Sequence, residues 1–378
     1  MPHKMTRRAA LAGGGLLLVK SKTALGAQAN SQVALGIIGT GGRGRYVGAI
    51  FANDPRLRVA ALCDTYHDQI DRAKTEIPGA GRVPAFKNYQ DLLARADLDA
   101  VLIATPVFLH PEHFEAAVEA RKHIYCEKPA GADVAGVKRL VCAAKRAQAS
   151  KVIQFGFQQR FSPEYLAALD ILRSGQLGEL LLMRSDWMLG GAALRGFQSP
   201  YPVGEQRIRH WGAFRETSGD FVVEQDCHGL DVLNWFAQAH PVKATGAGGS
   251  KKRGYGDNLD HLNVTFEYPG GLRGFLAATQ LAVKRYWDVK EQFFGTEGIL
   301  ETERQYYKWH RAEDNDVVAK SKRDITIDAV EAFVSDILAG KPRNMAFDAT
   351  DSTLTSLLGR MAIETRREVT WEEMLQLA

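Results

Sequence analysis

Val33-Ala34-Leu35-Gly36-Ile37-Ile38-Gly39-Thr40-Gly41-Gly42-Arg43-Gly44 is an apolar run that breaks into glycines. Its first half, Val33 to Ile38, suits a buried strand. Val47-Gly48-Ala49-Ile50-Phe51 beyond it suits a helix. Gly39, Gly41 and Gly44 fit G-x-G-x-x-G in the strand–turn–helix setting that gives the pattern meaning. The first glycine allows a tight turn, the second lets backbone approach a pyrophosphate, and the third lets helix and strand pack closely. Amide donors and a positive dipole end gather at the helix start, where Gly42 and Arg43 stand. Twenty residues after Gly44, Val59-Ala60-Ala61-Leu62-Cys63 ends in Asp64. A carboxylate there accepts hydrogen bonds from ribose hydroxyls and repels a 2′-phosphate, which favours NAD over NADP. Arg43, Arg45 and Tyr66 nearby leave room for NADP. The competing reading is a glycine-rich turn in another α/β protein.

The 378 residues suggest two domains. A composition of 45% hydrophobic and 24% charged residues is that of an ordinary globular protein. The formal charge of +4 is local in origin: Lys4, Arg7, Arg8, Lys20 and Lys22 lie in the first 29 residues, which hold no acid, and without those five the balance is −1. Electrostatics therefore makes no case for a nucleic-acid partner. Residues 1–29 read as a twin-arginine signal peptide: Thr6-Arg7-Arg8, an apolar core from Ala9 to Val19 too short to span a bilayer, and a small-residue cleavage site at Ala27-Gln28-Ala29. Export to the periplasm follows from that reading. A disordered basic tail is the alternative. No later run is long and apolar enough for a membrane span. Cys63, Cys126, Cys142 and Cys227 lack metal-ligand spacing, so no metal is expected, and buried thiols are expected rather than disulfides.

Residues 30–157 alternate strand-like and helix-like runs: strands at Ala100–Ala104, His123–Cys126 and Val152–Phe155, helices at Glu112–Arg121 and Asp133–Ala149. This rhythm implies a doubly wound parallel sheet of Rossmann type with its ligand crevice at the carboxyl ends of the strands. Over residues 158–378 the pattern changes to an α+β domain with an open, mostly antiparallel sheet, one face of it on the first domain. Its strands are expected near 180–187, 242–246, 261–268, 272–281, 289–294 and 299–302. Leu189 to Asp220 reads as a long glycine-, arginine- and aromatic-rich loop, and such loops are usually functional or disordered.

Cys126-Glu127-Lys128-Pro129 falls at a strand end facing the cofactor crevice. Glu224-Gln225-Asp226-Cys227-His228-Gly229-Leu230-Asp231 leads into a helix, and Glu224 and His228 share a face if that helix starts early enough. A histidine can take the hydroxyl proton as hydride leaves the same carbon. A lysine ammonium can stabilise the alkoxide-like transition state. Taken alone, a lysine at such a place is usually solvated, and a histidine is as readily a hydrogen-bonded core residue as a functional one.

Together these residues resemble the Gfo/Idh/MocA oxidoreductase family. The resemblance rests on Gly39-Thr40-Gly41-Gly42-Arg43-Gly44, Ala104-Thr105-Pro106 with His110, Glu127-Lys128-Pro129, the His228-Gly229-Leu230-Asp231 helix start, and Ala332-Phe333 through Gly340-Lys341-Pro342. It implies that Lys128 is the catalytic-site lysine and His228 the acid/base. It places Thr105, Pro106, His110, Glu127 and Gln159 beside the nucleotide. Glu224 stands where many members carry aspartate, one methylene shorter. The substrates implied are sugars, cyclitols and their derivatives, with Arg160, Trp187, His210, Trp211 and Asp231 as substrate contacts. Arg207, Arg209 and Arg215 also suit polyol binding, or packing alone. A homodimer or homotetramer is expected by the same resemblance.

Three functions remain open on the sequence. One is an NAD-dependent oxidoreductase, including a transhydrogenase, with tightly held cofactor. The second is a redox-neutral NAD-dependent glycosidase that oxidises, eliminates, hydrates and reduces. The third is a non-catalytic sugar-binding protein that keeps the fold.

Overall fold

The strand-like runs between residues 33 and 155 become β1 (Val33–Ile38), β2 (Leu57–Cys63), β4 (Ala100–Ile103), β5 (His123–Cys126) and β6 (Val152–Phe155), with the short β3 (Ala85–Phe86) beside β2. The computed structural model describes residues 32–190, 197–251, 253–283, 285–311 and 316–376. The signal peptide expected over residues 1–29 lies outside them. Strands β1, β4 and β6 are buried throughout and β5 from Ile124 on, the signature of a sheet covered on both faces. Crossover helices include Gly42–Ala52, His110–Glu119 and Val134–Arg146. Asp133 caps the last of these by accepting a bond from the Gly136 N–H at 2.7 Å.

The chain then builds β7 (Leu180–Gly190), β8 (Lys243–Gly249), β9 (His261–Glu267), β10 (Arg273–Ala282), β11 (Trp287–Gly295), β12 (Gly298–Glu303), β13 (Tyr306–Arg311) and β14 (Val317–Lys320), followed by the short β15 (Arg343–Asn344) and β16 (Val369–Thr370). The first sheet runs β15-β6-β5-β4-β1-β2-β3, all parallel. The second runs β14-β13-β12-β11-β7-β10-β9-β8-β16, antiparallel except for β7 and β10. The carboxyl-terminal part thus returns β15 to the first sheet. Helix Ile325–Leu338 returns with it: Phe333 meets Phe51 and Tyr125 edge-on, at centroid distances of 5.8 and 5.6 Å. Each such aromatic pair is worth about 1 kcal/mol beyond its burial.

The second sheet was expected to lay one face directly on the first domain. Instead, its inner face packs on helices Pro163–Arg173, Cys227–Ala237 and Ala346–Thr365. Met183, Ser185 and Trp187 on β7 are buried there, with Val289, Glu291 and Phe293 on β11 and Leu300 and Thr302 on β12. Helix Cys227–Ala237 is apolar almost all round, and nine of its eleven residues are buried between sheet and helix. Cys63, Cys126 and Cys227 are buried, but Cys142 is exposed on its helix, so the expectation of a buried thiol fails at that position. No helix among the described residues is long and apolar enough to cross a membrane.

Candidate active site

Register sets the site. Ile38 pairs with Ile103, Ile103 with Cys126, and Cys126 with Phe155. The segments leaving these strands, at Gly39, Ala104–Thr105, Glu127–Lys128 and Gly156–Gln159, therefore emerge along one edge. β1 lies between β4 and β2, so the crevice opens where the strand order reverses.

The glycines behave as their spacing requires. Gly39 sits at φ 89°, and a Cβ there would come within 2.7 Å of the Ala104 carbonyl. A Cβ on Gly44 would lie 1.9 Å from the Gly39 oxygen. At Gly41 and Gly42 a Cβ would meet nothing within 4 Å. The backbone at the helix start is thus bare toward a cavity of about 630 Å³ lined by Gly39, Gly41, Gly42, Asp64, Thr105 and Pro106. An open, glycine-walled helix N-terminus fits a pyrophosphate. Asp64 braces the loop, accepting bonds from Thr40 N–H at 2.8 Å, Thr40 Oγ1 at 3.1 Å and Tyr66 N–H at 2.9 Å. Arg45, buried beneath, donates to the Thr40 carbonyl and to Gln69 and Glu76.

The long segment after Leu189 is not a bare loop where described. It holds the helix Val203–Arg209 and a turn at Trp211–Ala213, and it lies across the cavity at the Asp64 end. Arg209 stacks between Tyr66 and Tyr201 at 3.8 and 4.3 Å and pairs with Asp68 at 2.8 Å and Glu205 at 2.6 Å. That guanidinium holds the Asp68 carboxyl down at about 2. Trp211 lines the same cavity, and His210 bonds Ser199 at 2.9 Å among Phe197, Tyr201 and Tyr255. Of the two expected sugar contacts, Trp211 lines the cavity that holds the glycine turn and Asp64, and His210 packs beside it among aromatic rings. Composition shows that a segment is aromatic and basic, and only packing shows which end of the crevice it covers.

Two more expected substrate contacts engage each other. Arg160 forks onto Asp231 with bonds of 2.9–3.1 Å, and Ser352 donates to the same carboxylate at 2.7 Å. Asp231 is fully buried. The pair ties the Gln158–Phe161 turn to helix Cys227–Ala237, which is a structural task. His110 is likewise buried, its ring nitrogens 2.7 Å from the Pro129 carbonyl and 2.9 Å from that of Thr105. It joins the ends of β4 and β5 rather than lining the cavity.

The chemistry-bearing groups converge from four elements. Lys128 donates to the Glu224 carboxylate at 2.8 Å and to the Glu224 carbonyl. Burial is the largest single effect and would lower the lysine pKa, but the Glu224 charge and hydrogen bond together with Cys227 and Glu127 outweigh it, so the net shift is upward and the ammonium persists. Glu224 and His228 do not share one helix: Phe221–Glu224 ends at Gln225, and a new helix starts at Cys227. The expected Glu224–His228 alignment is replaced by a Gln159–His228 contact, with Nδ1 3.1 Å from Gln159 Oε1. An amide oxygen only accepts, so Nδ1 carries the proton and Nε2 is left as the basic nitrogen. Trp187 stacks on the imidazole at 5.7 Å, and its indole N–H donates to Gln225 at 3.2 Å. Burial, then the charges of Lys128, Arg304 and Arg43, push His228 well below the usual imidazole range. Arg43 faces the buried Glu127 at 3.0 Å.

Residues 33–156 match the family described as an oxidoreductase family with an NAD-binding Rossmann fold, and residues 165–301 match the GFO/IDH/MocA C-terminal domain. Inositol 2-dehydrogenase 1 of Paenarthrobacter aurescens is 36% identical over 43% of this chain and 47% of its own length. Myo-inositol 2-dehydrogenase of Thermotoga maritima is 24% identical over 90% of this chain and 99% of its own. The structure of levoglucosan dehydrogenase in complex with NADH and L-sorbose agrees in fold with a TM-score of 0.78 at 18% identity, covering 91% of this chain and all of that one.

Proposed function

The chain belongs to the Gfo/Idh/MocA oxidoreductase family, whose amino-terminal domain binds NAD, and on that premise we propose that it is an NAD-dependent dehydrogenase of a sugar, cyclitol or sugar derivative. The observation that carries this reading is His228, its Nδ1 tied to Gln159, beside the Lys128–Glu224 pair at the strand ends. Bound NAD supplies the hydride acceptor. His228 Nε2 takes the proton of the substrate hydroxyl. Lys128, held by Glu224, places its ammonium near the oxygen that becomes negative. Trp187 backs the imidazole and limits its rotation. Gly41, Gly42 and Asp64 would hold the pyrophosphate and ribose, with Asp64 favouring NAD. The inositol dehydrogenases among the relatives support a polyol substrate.

The Tyr201–Arg209–Trp211 cover over the nucleotide cavity favours a cofactor retained between turnovers. It thereby supports a second reading, a redox-neutral glycosidase or a transhydrogenase that regenerates NAD in place. Export through the twin-arginine signal would demand the same economy. The test is a sugar and cyclitol panel scored for reduced nicotinamide with NAD added, run beside aryl glycosides with no nucleotide added. Reduction of NAD that depends on Lys128 would support the dehydrogenase. Lys128-dependent aglycone release without added NAD would support the glycosidase. Neither, with sugar binding intact, would leave a binding protein.

A further inference from the structure

Arg304 occupies the turn between β12 and β13 and continues the inner-face alternation of Leu300 and Thr302. Its guanidinium lies 5.8 Å over the Trp187 ring, and Trp187 stacks on His228. The other cations of this neighbourhood have acid partners: Lys128 has Glu224, Arg43 has Glu127, and Arg160 has Asp231. Arg304 has no carboxylate within ion-pair distance among the described residues, and its Nε is buried with no hydrogen-bond partner. The buried acid nearby, Glu291, gives Oε2 to the hydroxyls of Tyr165 and Thr302, both at 2.9 Å. A guanidinium N–H taken from water without an acceptor is costly. A carboxylate is the group whose geometry its fork matches.

We propose that Arg304 receives a carboxylate of the substrate over Trp187, so that the polyol oxidised at His228 is a sugar acid. This rests on the dehydrogenase reading of the same site and narrows its substrate class. Arg304, Lys128 and Arg43 all act on His228 as positive charges, and of the three Arg304 alone lacks an acid partner among the described residues, which leaves its charge in excess. A positively charged nicotinamide would deepen that excess, and an anionic substrate would relieve it.

The experiment is calorimetric binding to the NAD-loaded protein of D-glucuronate and D-galacturonate, each against its neutral parent hexose. It is run on the wild type, Arg304→Met and Arg304→Lys. The uronates should bind at least about tenfold more tightly than the hexoses, the scale of one charge-assisted contact. Arg304→Met should erase that difference, and Arg304→Lys should keep part of it. Uronates that bind no better than hexoses, or not at all, would overturn the proposal. So would an Arg304→Met change that weakens both classes equally, which would make Arg304 a packing partner of Trp187. Reduced nicotinamide is scored separately. Turnover of neutral hexoses without uronate preference would sink the anion site and spare the dehydrogenase. Tight, Arg304-dependent uronate binding with no nicotinamide reduction in any condition would do the reverse.

Discussion

His228 draws its properties from neighbours far away in the chain. Gln159 holds its Nδ1, Trp187 backs its ring, and Lys128 and Arg304 add positive charge. His228→Ala and Lys128→Ala are each expected to lower kcat roughly 100- to 10,000-fold while NAD stays bound. Near-normal turnover in both would remove the site assignment. Because burial and those cations hold the imidazole pKa well below 6.5, the base remains unprotonated to a correspondingly lower pH. The acid limb of the kcat/KM profile is therefore expected below pH 6.5, and Gln159→Leu, which frees the ring tautomer, should lower kcat more than it raises KM. An acid limb at or above 6.5 would show that another group controls the rate. At Asp64 the carboxylate both braces the glycine turn and faces the cavity, so Asp64→Ala should relax the preference for NAD over NADP. An unchanged ratio would confine Asp64 to the brace.

Among the elements, the helix Val203–Arg209 matters most for cofactor handling. It is short and exposed on several sides, and its grip is the Arg209 stack with the Asp68 and Glu205 pairs. Exposed ion pairs are worth about 1 kcal/mol or less, so the stack on two tyrosines should dominate. Arg209→Ala is expected to speed NAD dissociation about tenfold, measured by displacement from the loaded protein, with little change in melting temperature. An unaltered off-rate would mean that the segment lies over the cavity without holding its contents.

β11 carries a different test. Burial raises the Glu291 pKa to about 7 from 4.5, against the bonds from Thr302 and Tyr165 and the charge of Arg304. The folded state thus holds this proton more tightly than the unfolded chain. The stability it contributes is complete below about pH 4.5 and is lost as pH rises through 7. Glu291→Gln keeps an acceptor and removes the ionisation, so it should match the wild type at pH 4 and exceed it at pH 8 by up to about 3 kcal/mol. Equal melting curves at pH 8 would refute this.

Across the two sheets, the strand alternation, the glycine spacing and the acid after β2 were legible in the sequence because each is a local rule. Burial sets the period of the apolar residues, and a turn that must approach a phosphate has to lack a Cβ. The family followed from those motifs together, and the parallel and mostly antiparallel sheets stand where the runs lay. The outer face of the second sheet, where Phe275 is exposed, is the surface we propose for a homodimer or homotetramer, and light scattering on the purified protein would test it. Folding alone settled which charged side chain meets which. Arg160 and Asp231 lie far apart in the chain and quench each other, Glu224 turned to Lys128 once its helix broke at Gln225, and Gln159 reached His228 in its place. The described part of the aromatic segment after Leu189 lines the same cavity as the glycine turn and Asp64, through Tyr201, Arg209 and Trp211. Periodicity records whether a side chain faces the core, but partner choice depends on distances between segments that no local pattern encodes. The glycines therefore announced a cofactor, while the arrangement of charge around His228 emerged only when four separate elements packed together.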